Sequence, residues 1–468
     1  METMLKRPLD GRRVHFVAIG GVGMAALAEL ALKLGYDVSG SDLKTSRTVQ
    51  RLLDLGVPVT VGPHRREGAV GADHVVFSNA VPPNNVEVAA ARAAGADVMS
   101  RAQLLGRMFD AGRGIAVTGT HGKTTTASML ARALAGAGLD PSFLIGGDLN
   151  DVGSGAHLGS SDLVVAEADE AFGSFLELSS HLALVTNVDL DHLEYYDDQD
   201  AIDEAFLRFL GRRRPGAVAV LCADDEGVRR IMDRVAGPIV TYGSQAADLI
   251  VDPSTHAVTW RGEALGKLEI SVPGRHNLLN AAGALAASLL LGAEPGAALA
   301  ALASFSGVER RFSVRGEVDG IVVVDDYAHN PQKVAATVEA AREAYPGRRI
   351  VALFQPHLYS RTMHLGTGFA PSFDAADVVV VTDVYGARED PVPGVSGRIV
   401  SDAVRERRPG DIVVYAPRLE EATGMVAGML ERGDVLLTIG AGDITTAGPR
   451  ILELLASRDA GDSGSTRR

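Results

Sequence analysis

The sequence predicts an α/β protein built as three consecutive units. Short apolar runs alternate with helical patterns along the chain, as in mostly parallel sheets covered by helices. The alternation restarts twice, at residues 112–114 and after Arg310-Arg311. Polar or glycine-rich clusters directly follow several apolar runs, which is where an open α/β sheet places its ligands. The 468 residues allow about three domains at roughly 150 residues each. The expected divisions are 1–110, 111–312 and 313–457, with a disordered tail at 458–468.

In the first unit the run 14–19 reads as a strand ending at Gly20-Gly21, and a helical pattern follows over 24–34. A second strand, 36–39, ends near Asp42, and 75–78 reads as another. In the second unit 115–118 is a strand, 119–122 a glycine turn and 124–137 a helix. Runs 163–166 and 183–186 are buried strands that lead straight into acidic residues, and 216–221 is a further strand. Residues 268–272 read as strand-like, and 277–291 as an Ala/Leu-rich helix. In the third unit 321–324 is a strand ending in Asp325-Asp326. Pro331 then suits the first turn of a helix, where its missing N–H costs nothing. The runs 350–354, 378–382, 412–415 and 435–439 complete the third sheet.

Lys+Arg 45 against Asp+Glu 59 gives a net charge of −14. An acidic chain is a poor nucleic-acid coat, because phosphate contacts need clustered cations. The 46% apolar content excludes wholesale disorder. Cys222 is the single cysteine, so no intrachain disulfide forms. The first ten residues contain no apolar signal-peptide core. The longest apolar run, around 281–293, falls short of the about 20 residues that span a bilayer. The expectation is a cytoplasmic protein, a monomer or weak homodimer, with neither nucleic acid nor membrane insertion.

Gly21-Val22-Gly23-Met24-Ala25-Ala26 fits G-x-G-x-x-G/A between a strand and a helix, and Asp42 lies 21 residues after Gly21. That is the dinucleotide fingerprint: small residues let backbone approach a pyrophosphate at a helix N-terminus. A nicotinamide dehydrogenase is one hypothesis, and a tight turn without ligand is another. The second glycine motif shifts the balance. Thr118-Gly119-Thr120-His121-Gly122-Lys123-Thr124-Thr125-Thr126 follows a strand and opens a helix. The formal P-loop pattern wants glycine where Val117 stands, and Gly119 supplies the turn instead. Backbone N–H groups would wrap phosphates, Lys123 would reach the terminal phosphate, and Thr124 would ligate magnesium. Lys123 is the only lysine between Lys44 and Lys267.

Two acidic clusters lie at strand ends behind this loop: Glu167-Ala168-Asp169-Glu170 and Thr186-Asn187-Val188-Asp189-Leu190-Asp191-His192. Glu167 suits magnesium, which takes hard oxygen ligands. His192 is a less usual ligand, with a surface or helix-cap position as the alternative. His276 and Asn280 are four residues apart, on one helix face. They read as base-edge contacts or as simple capping. Arg310-Arg311 stands at the second domain junction, either as a solvated pair or as a hinge that reaches phosphates. In the third unit, polar residues follow apolar runs at Asp325–Pro331, Gln355–Thr362, 383–386 and 440–443.

Together these residues resemble the Mur ligase family over nearly the whole chain. The phosphate loop alone marks only an ATPase. The loop combined with His276-Asn277-Leu278-Leu279-Asn280 and Asp325-Asp326-Tyr327-Ala328-His329 is specific to the family. The segment His15–Met24 and Phe354–Thr362 point to the step that adds alanine. The resemblance implies a Rossmann-like first domain for a UDP-sugar, a central P-loop ATPase domain, and a Rossmann-like third domain that closes over the others with the amino acid. It implies ATP and Mg2+ as cofactors, and UDP-N-acetylmuramate and L-alanine as substrates. Gly20, Gly21, Val22, Gly23, Met24, Asp42, Ser78, Asn79 and Arg101 would bind the UDP-sugar. Gly119, Thr120, His121, Gly122, Lys123, Thr124, Thr125, Asn280, Arg311, Asp326 and Tyr327 would bind ATP, with Asn280 at the adenine. Thr124, Glu167 and His192 would hold the metal. Lys123, Glu167, His192, Arg311, His329 and Arg361 would be catalytic, the last two facing the ligation site.

Three positions depart from the family pattern. Ala171-Phe172 replaces the common Ser-Asp, Asn330 replaces a second histidine, and Leu358 replaces a frequent arginine. Several Mur ligases also carry a carbamylated lysine after the Asp-His segment. Here no lysine lies between Leu193 and Gly266. The competing classes are a dehydrogenase, which leaves 119–126 unexplained, and a non-catalytic ATP-binding regulator, which leaves the third unit's polar strand ends unexplained. Within the family the alternative is another amino-acid or murein-peptide ligase.

Overall fold

The computed structural model describes residues 4–78, 80–189, 195–387 and 389–462. The first sheet is built from β1 (Arg13–Val17), α1 (Val22–Lys33), β2 (Asp37–Asp42), α2 (Arg47–Asp54), β3 (Val59–Val61), β4 (His74–Phe77), α3 (Val86–Ala93), β5 (Asp97–Ser100) and α4 (Arg101–Asp110). Its strand order is β3-β2-β1-β4-β5, with every neighbouring pair parallel. β1 stops at Val17, earlier than the apolar run suggests, because Ala18 turns the chain with φ +61°. Ser100 and Gln103 start α4 with a reciprocal capping box.

The second sheet begins with β6 (Arg113–Thr118), α5 (Lys123–Gly136), β7 (Ser142–Leu149), β8 (Ser154–His157), β9 (Leu163–Glu167) and β10 (Leu182–Val185). It continues through α6 (Gln199–Gly211), β11 (Val218–Cys222), α7 (Glu226–Met232) and β12 (Ile239–Gly243). β13 (Leu249–Val251), β14 (Ala257–Trp260), β15 (Glu263–Lys267), α8 (Arg275–Leu290) and α9 (Pro295–Ala303) end it. The strand order is β15-β14-β13-β12-β11-β10-β6-β9-β7-β8. Its centre is parallel, and β13, β14 and β15 form an antiparallel flank. Residues 268–272, read from sequence as strand-like, are not strand; the strand is β15, immediately before them. The polar residues of β15 alternate too weakly to announce an exposed edge strand.

The third sheet holds β16 (Ser313–Val318), β17 (Ile321–Asp326), α10 (Pro331–Ala344), β18 (Ile350–Phe354), α11 (Tyr359–Leu365) and β19 (Val378–Val381). It is completed by α12 (Arg398–Arg407), β20 (Ile412–Tyr415), α13 (Leu419–Met429), β21 (Val435–Ile439) and α14 (Ala447–Asp462). The order is β16-β17-β21-β18-β19-β20, and only β16 runs antiparallel to its neighbour. α14 carries helix through residues 458–462 of the expected disordered tail.

By compactness the chain divides into two units: Met1–Ser271 with Leu278–Ser306, and Val272–Asn277 with Gly307–Arg468. The first two sheets share one unit because their packing is continuous. One apolar core runs from Leu27 on α1 and Phe109 on α4 to Phe175, Phe206 and Phe209. A polar tie adds to it. Arg51 on α2 pairs with Glu29 on α1 at 2.8 Å and with Asp148 on β7 at 2.7 Å. Ser154 on β8 donates to the other oxygen of buried Glu29. Burial pushes the Cys222 thiol up to about 11, so the lone cysteine is packing material. Among the described residues no helix is long and apolar enough to cross a membrane.

Candidate active site

Strand register places the candidates for the UDP-sugar on one edge. In the first sheet Ser41, Val17, Phe77 and Ser100 stand side by side on β2, β1, β4 and β5. The residues that follow them are Asp42, the 18–21 loop, Ser78 and Arg101, all at the carboxyl ends of parallel strands. Asp42 accepts the Gly20 N–H at 2.8 Å and the Lys44 N–H at 3.2 Å, so its carboxylate first of all shapes the glycine loop. A Cβ on Gly20 would stand 2.7 Å from Val49 and 2.8 Å from Asp42, which is why this position has no side chain. Val22 is exposed, whereas Met24 points into the core, leaving only its backbone for a ligand. Arg101 Nη1 lies 3.1 Å from where a Gly23 Cβ would be. Asn79 lies outside the described residues.

Gly23→Val is therefore expected to raise the KM for the sugar nucleotide by about tenfold or more and leave that for ATP nearly unchanged, since the added branches block backbone approach and push on Arg101. Steady-state kinetics with each substrate varied in turn checks it; a change in the ATP constant alone would reverse the assignment of the two glycine loops.

The phosphate loop connects β6 to α5. Gly119 has φ +137° and Gly122 φ +78°, conformations that a side chain opposes. Both are also crowded: a Cβ would approach Thr186 Oγ1 to 2.0 Å at Gly119 and Asn280 Oδ1 to 2.6 Å at Gly122. Asn280 is thus beside the loop, at the start of α8. The loop is held by the segment after β10. Thr120 N–H donates to the Asn187 carbonyl at 3.2 Å, and His121 N–H to Asn187 Oδ1 at 2.7 Å. Thr186 Oγ1 and Asn187 Nδ2 donate to the His121 carbonyl at 2.6 and 3.0 Å, and Thr120 Oγ1 donates to the Asp189 carbonyl at 3.0 Å. The amides of Thr120 and His121, expected to wrap phosphates, are therefore committed to Asn187. The amides at the start of α5 have no helical acceptor and are the ones suited to an anion.

Lys123 Nζ donates to Glu170 Oε2 at 2.6 Å and to the Gly119 carbonyl at 2.8 Å. Burial by itself would depress its pKa, but the carboxylates of Glu170, Asp169 and Glu167 outweigh this and raise it, keeping the amine charged. Thr124 Oγ1 donates to both Glu167 oxygens at 3.0 Å, and Gly146 N–H donates to Glu167 Oε2 at 2.7 Å. A Cβ on Gly146 would lie 2.6 Å from that oxygen, so a side chain there would push the Glu167 carboxylate aside. Among the described residues no group of three His, Cys, Asp or Glu could hold a metal. Magnesium usually takes only one or two carboxylates and completes its shell with phosphate and water, so Thr124 and Glu167 fit it. His192 lies outside the described residues. Lys267 is on β15, six strand spacings from β6, or roughly 29 Å.

The third sheet aligns its polar ends in the same way. Asp326, Ile439, Phe354 and Val381 are register neighbours. Asp326 accepts the N–H groups of Phe312 and Ala328, both at 2.7 Å; burial pushes its carboxyl up and Arg311 pulls it down, with burial prevailing. The Arg310 and Arg311 guanidinium groups lie 5.0 and 5.3 Å from the centre of the Tyr327 ring. Arg310 is spent on structure, donating to the Gly440 carbonyl at 2.6 Å. His329 Nδ1 faces the Tyr327 carbonyl at 2.8 Å, so Nδ1 carries the proton and Nε2 is the acceptor. Burial, then the charges of Lys333 and Arg361, hold its pKa well below the ordinary imidazole value. Arg361 approaches His357 Nδ1 at 3.2 Å, and His357 stacks on Tyr385 at 5.9 Å. Leu358 has φ +69° and caps α11, while Asn330 accepts the Lys333 N–H as the cap of α10. Asn330 therefore has a structural task of its own.

Profiles of the Mur ligase family cover most of the chain: its catalytic domain matches residues 13–113, its middle domain 117–288 and its glutamate ligase domain 310–442. The chain belongs to the Mur ligase family. Its members are ATP-dependent. The UDP-N-acetylmuramate–L-alanine ligase of Solidesulfovibrio magneticus is 47% identical over 449 residues, 94% of this chain and 98% of that protein. The crystal structure of the UDP-N-acetylmuramate-alanine ligase from Thermotoga maritima superposes with a TM-score of 0.81 at 30% identity, covering 96% of this chain and all of that one. A murein peptide ligase from Psychrobacter arcticus reaches 0.70 at 26% identity, covering 95% of this chain and 99% of that one. The Rossmann-like, P-loop and Rossmann-like domains expected from sequence are those of this Mur ligase fold. Glu170, Thr186, Asn187, His357 and Tyr385 join the candidate site only through the structure; their position just after apolar strands is the signal the sequence carries.

Proposed function

We propose that this chain is a cytoplasmic ATP-dependent ligase that joins L-alanine to the lactyl carboxylate of UDP-N-acetylmuramate in peptidoglycan precursor synthesis. The observation that carries this reading is the 47% identity to an enzyme of that name over 94% of the chain. We keep functional divisions at 110/111 and 312/313.

The chemistry sets the requirements. An amine cannot expel oxide from a carboxylate. A lactyl carboxylate oxygen therefore attacks the γ-phosphorus of ATP, the bond to ADP breaks, and an acyl phosphate forms. The alanine amine, having lost a proton, attacks the acyl carbon, and phosphate leaves. The protein must neutralise charge on the transferring phosphoryl group and exclude water. The α5 amides of Gly122, Lys123, Thr124 and Thr125 would face the phosphates, and Lys123 and Arg311 would supply positive charge. Thr124 and Glu167, with His192, would hold Mg2+, which when bound offsets phosphate charge. Asn280, Asp326 and Tyr327 would serve the nucleotide. Arg361 would take the amino-acid carboxylate, and His329 Nε2 would accept the ammonium proton.

Phosphate release assayed with UDP-N-acetylmuramate, MgATP and single amino acids tests this reading. Release that requires L-alanine is the expected result; release only with a different amino acid or with a preformed peptide would replace the proposed substrate. A second expectation concerns the metal site. With Lys267 on an edge strand far from the loop, no carbamate should assist catalysis, so bicarbonate should restore no activity to Lys267→Ala or to any variant of Thr124 or Glu167. A clear bicarbonate-dependent gain would contradict it.

A further inference from the structure

We propose that Glu170 is a positioning residue: it holds Lys123 when no nucleotide is bound, surrenders it to the triphosphate, and thereby weakens and tunes the binding of MgATP. This rests on the reading of Lys123 as the phosphate-binding lysine and goes beyond it.

The ammonium of Lys123 has three donors. Two are turned onto Glu170 Oε2 at 2.6 Å and the Gly119 carbonyl at 2.8 Å, and the third has the Thr120 carbonyl at a weaker 3.5 Å. All of these partners lie inside the protein. The lysine that should read a phosphate is thus folded back onto its own loop and onto a carboxylate that is fully buried. Glu170 cannot follow it outward. Its carbonyl accepts the Tyr196 hydroxyl at 2.8 Å and the Gly173 N–H at 2.9 Å, two bonds that anchor its backbone. The pair at 2.6 Å offsets the desolvation of two buried charges, and Asp169 Oδ1 stands near the same ammonium at 3.6 Å. An incoming phosphate competes for the same ammonium and meets the negative charge of Glu170 across a short distance. Glu170 therefore acts as an internal substitute for the phosphate. It keeps Lys123 ordered and charged, and its repulsion limits how tightly the triphosphate and the diphosphate product are held.

The test is isothermal titration of MgATP and MgADP into the full-length protein at fixed ionic strength, with thermal melting alongside. Glu170→Gln keeps the shape and one acceptor but removes the charge. It is expected to lower the Kd for both nucleotides by about tenfold, to lower kcat as product release slows, and to melt earlier than the wild type without nucleotide. Saturating MgATP should erase that melting deficit, because phosphate replaces the lost charge. A merely structural role predicts weaker or unchanged nucleotide binding, and either result in the folded variant overturns the proposal. Should Glu170→Gln fail to fold, Glu170→Asp retracts the carboxylate by one methylene and should tighten MgATP by a smaller factor; wild-type or weaker affinity there also overturns it. Lys123→Ala separates the two levels. If it binds MgATP like the wild type, the nucleotide reading of Lys123 fails; if it loses binding while the Glu170 variants show no tightening, only the role of Glu170 fails.

Discussion

Lys123→Ala is expected to abolish ligation while UDP-N-acetylmuramate still binds. Lys123 is the one cation at the start of α5, and a preorganised charge at phosphoryl transfer is typically worth about 3 kcal/mol or more, at least a hundredfold in kcat. The substitution has a second consequence that follows from its partner. Glu170 would stay buried while losing the ammonium it meets at 2.6 Å, which costs about 3–5 kcal/mol of stability. Lys123→Ala with Glu170→Gln should regain most of that stability and none of the turnover. Thermal melting, sugar-nucleotide titration and phosphate release on the two variants check all three statements. Near-normal turnover in either would sink the ATPase assignment.

Gly119→Ala should be nearly as damaging to nucleotide binding, although it removes no functional group. At φ +137° the alanine backbone is strained, and its methyl would sit 2.0 Å from Thr186 Oγ1 and 3.0 Å from the Asn187 amide. The loop can accept it only by letting go of the 186–187 segment that holds Thr120 and His121. The expected result is a loss of MgATP affinity of about a hundredfold or more, with the first domain's sugar-nucleotide affinity within about twofold of wild type. Calorimetric titration of each ligand reads both numbers. Retention of MgATP affinity would mean that the loop's conformation adapts and is not what reads the phosphates.

The positions of the candidate residues were visible in the linear chain. A glycine turn between an apolar run and a helix is a local pattern, so the turns at 20–24 and 119–124 were legible as candidate phosphate loops without a structure. Strand ends with polar residues were equally legible, because the period of an apolar run and its termination are local. The exposed flank β13–β15 was not, since its strands bury little and its pattern is weak. The division into domains also looked sharper in sequence than in packing: α1 and β7 belong to different sheets, yet Glu29, Arg51 and Asp148 tie them together.

Residue order along the chain was enough to decide most of the parallel strands, the two glycine turns and which chemical groups stand at the strand ends. Those properties depend on a few neighbouring residues, through side-chain periodicity, glycine's access to positive φ and proline's missing donor. Tertiary structure alone decided which partner each of those groups takes. Lys123 meets Glu170 across 47 residues, His121 meets Asn187 across 66, and Arg51 meets Asp148 across 97. These pairings arise from the order and register of strands in the sheets, β10-β6-β9 above all, and register is set by burial of the whole face at once. A charged group's partner determines whether it is poised, held back or spent on structure, and so the state of Lys123, the neutral acceptor on His329 and the structural use of Arg310 become apparent only when the sheets are assembled.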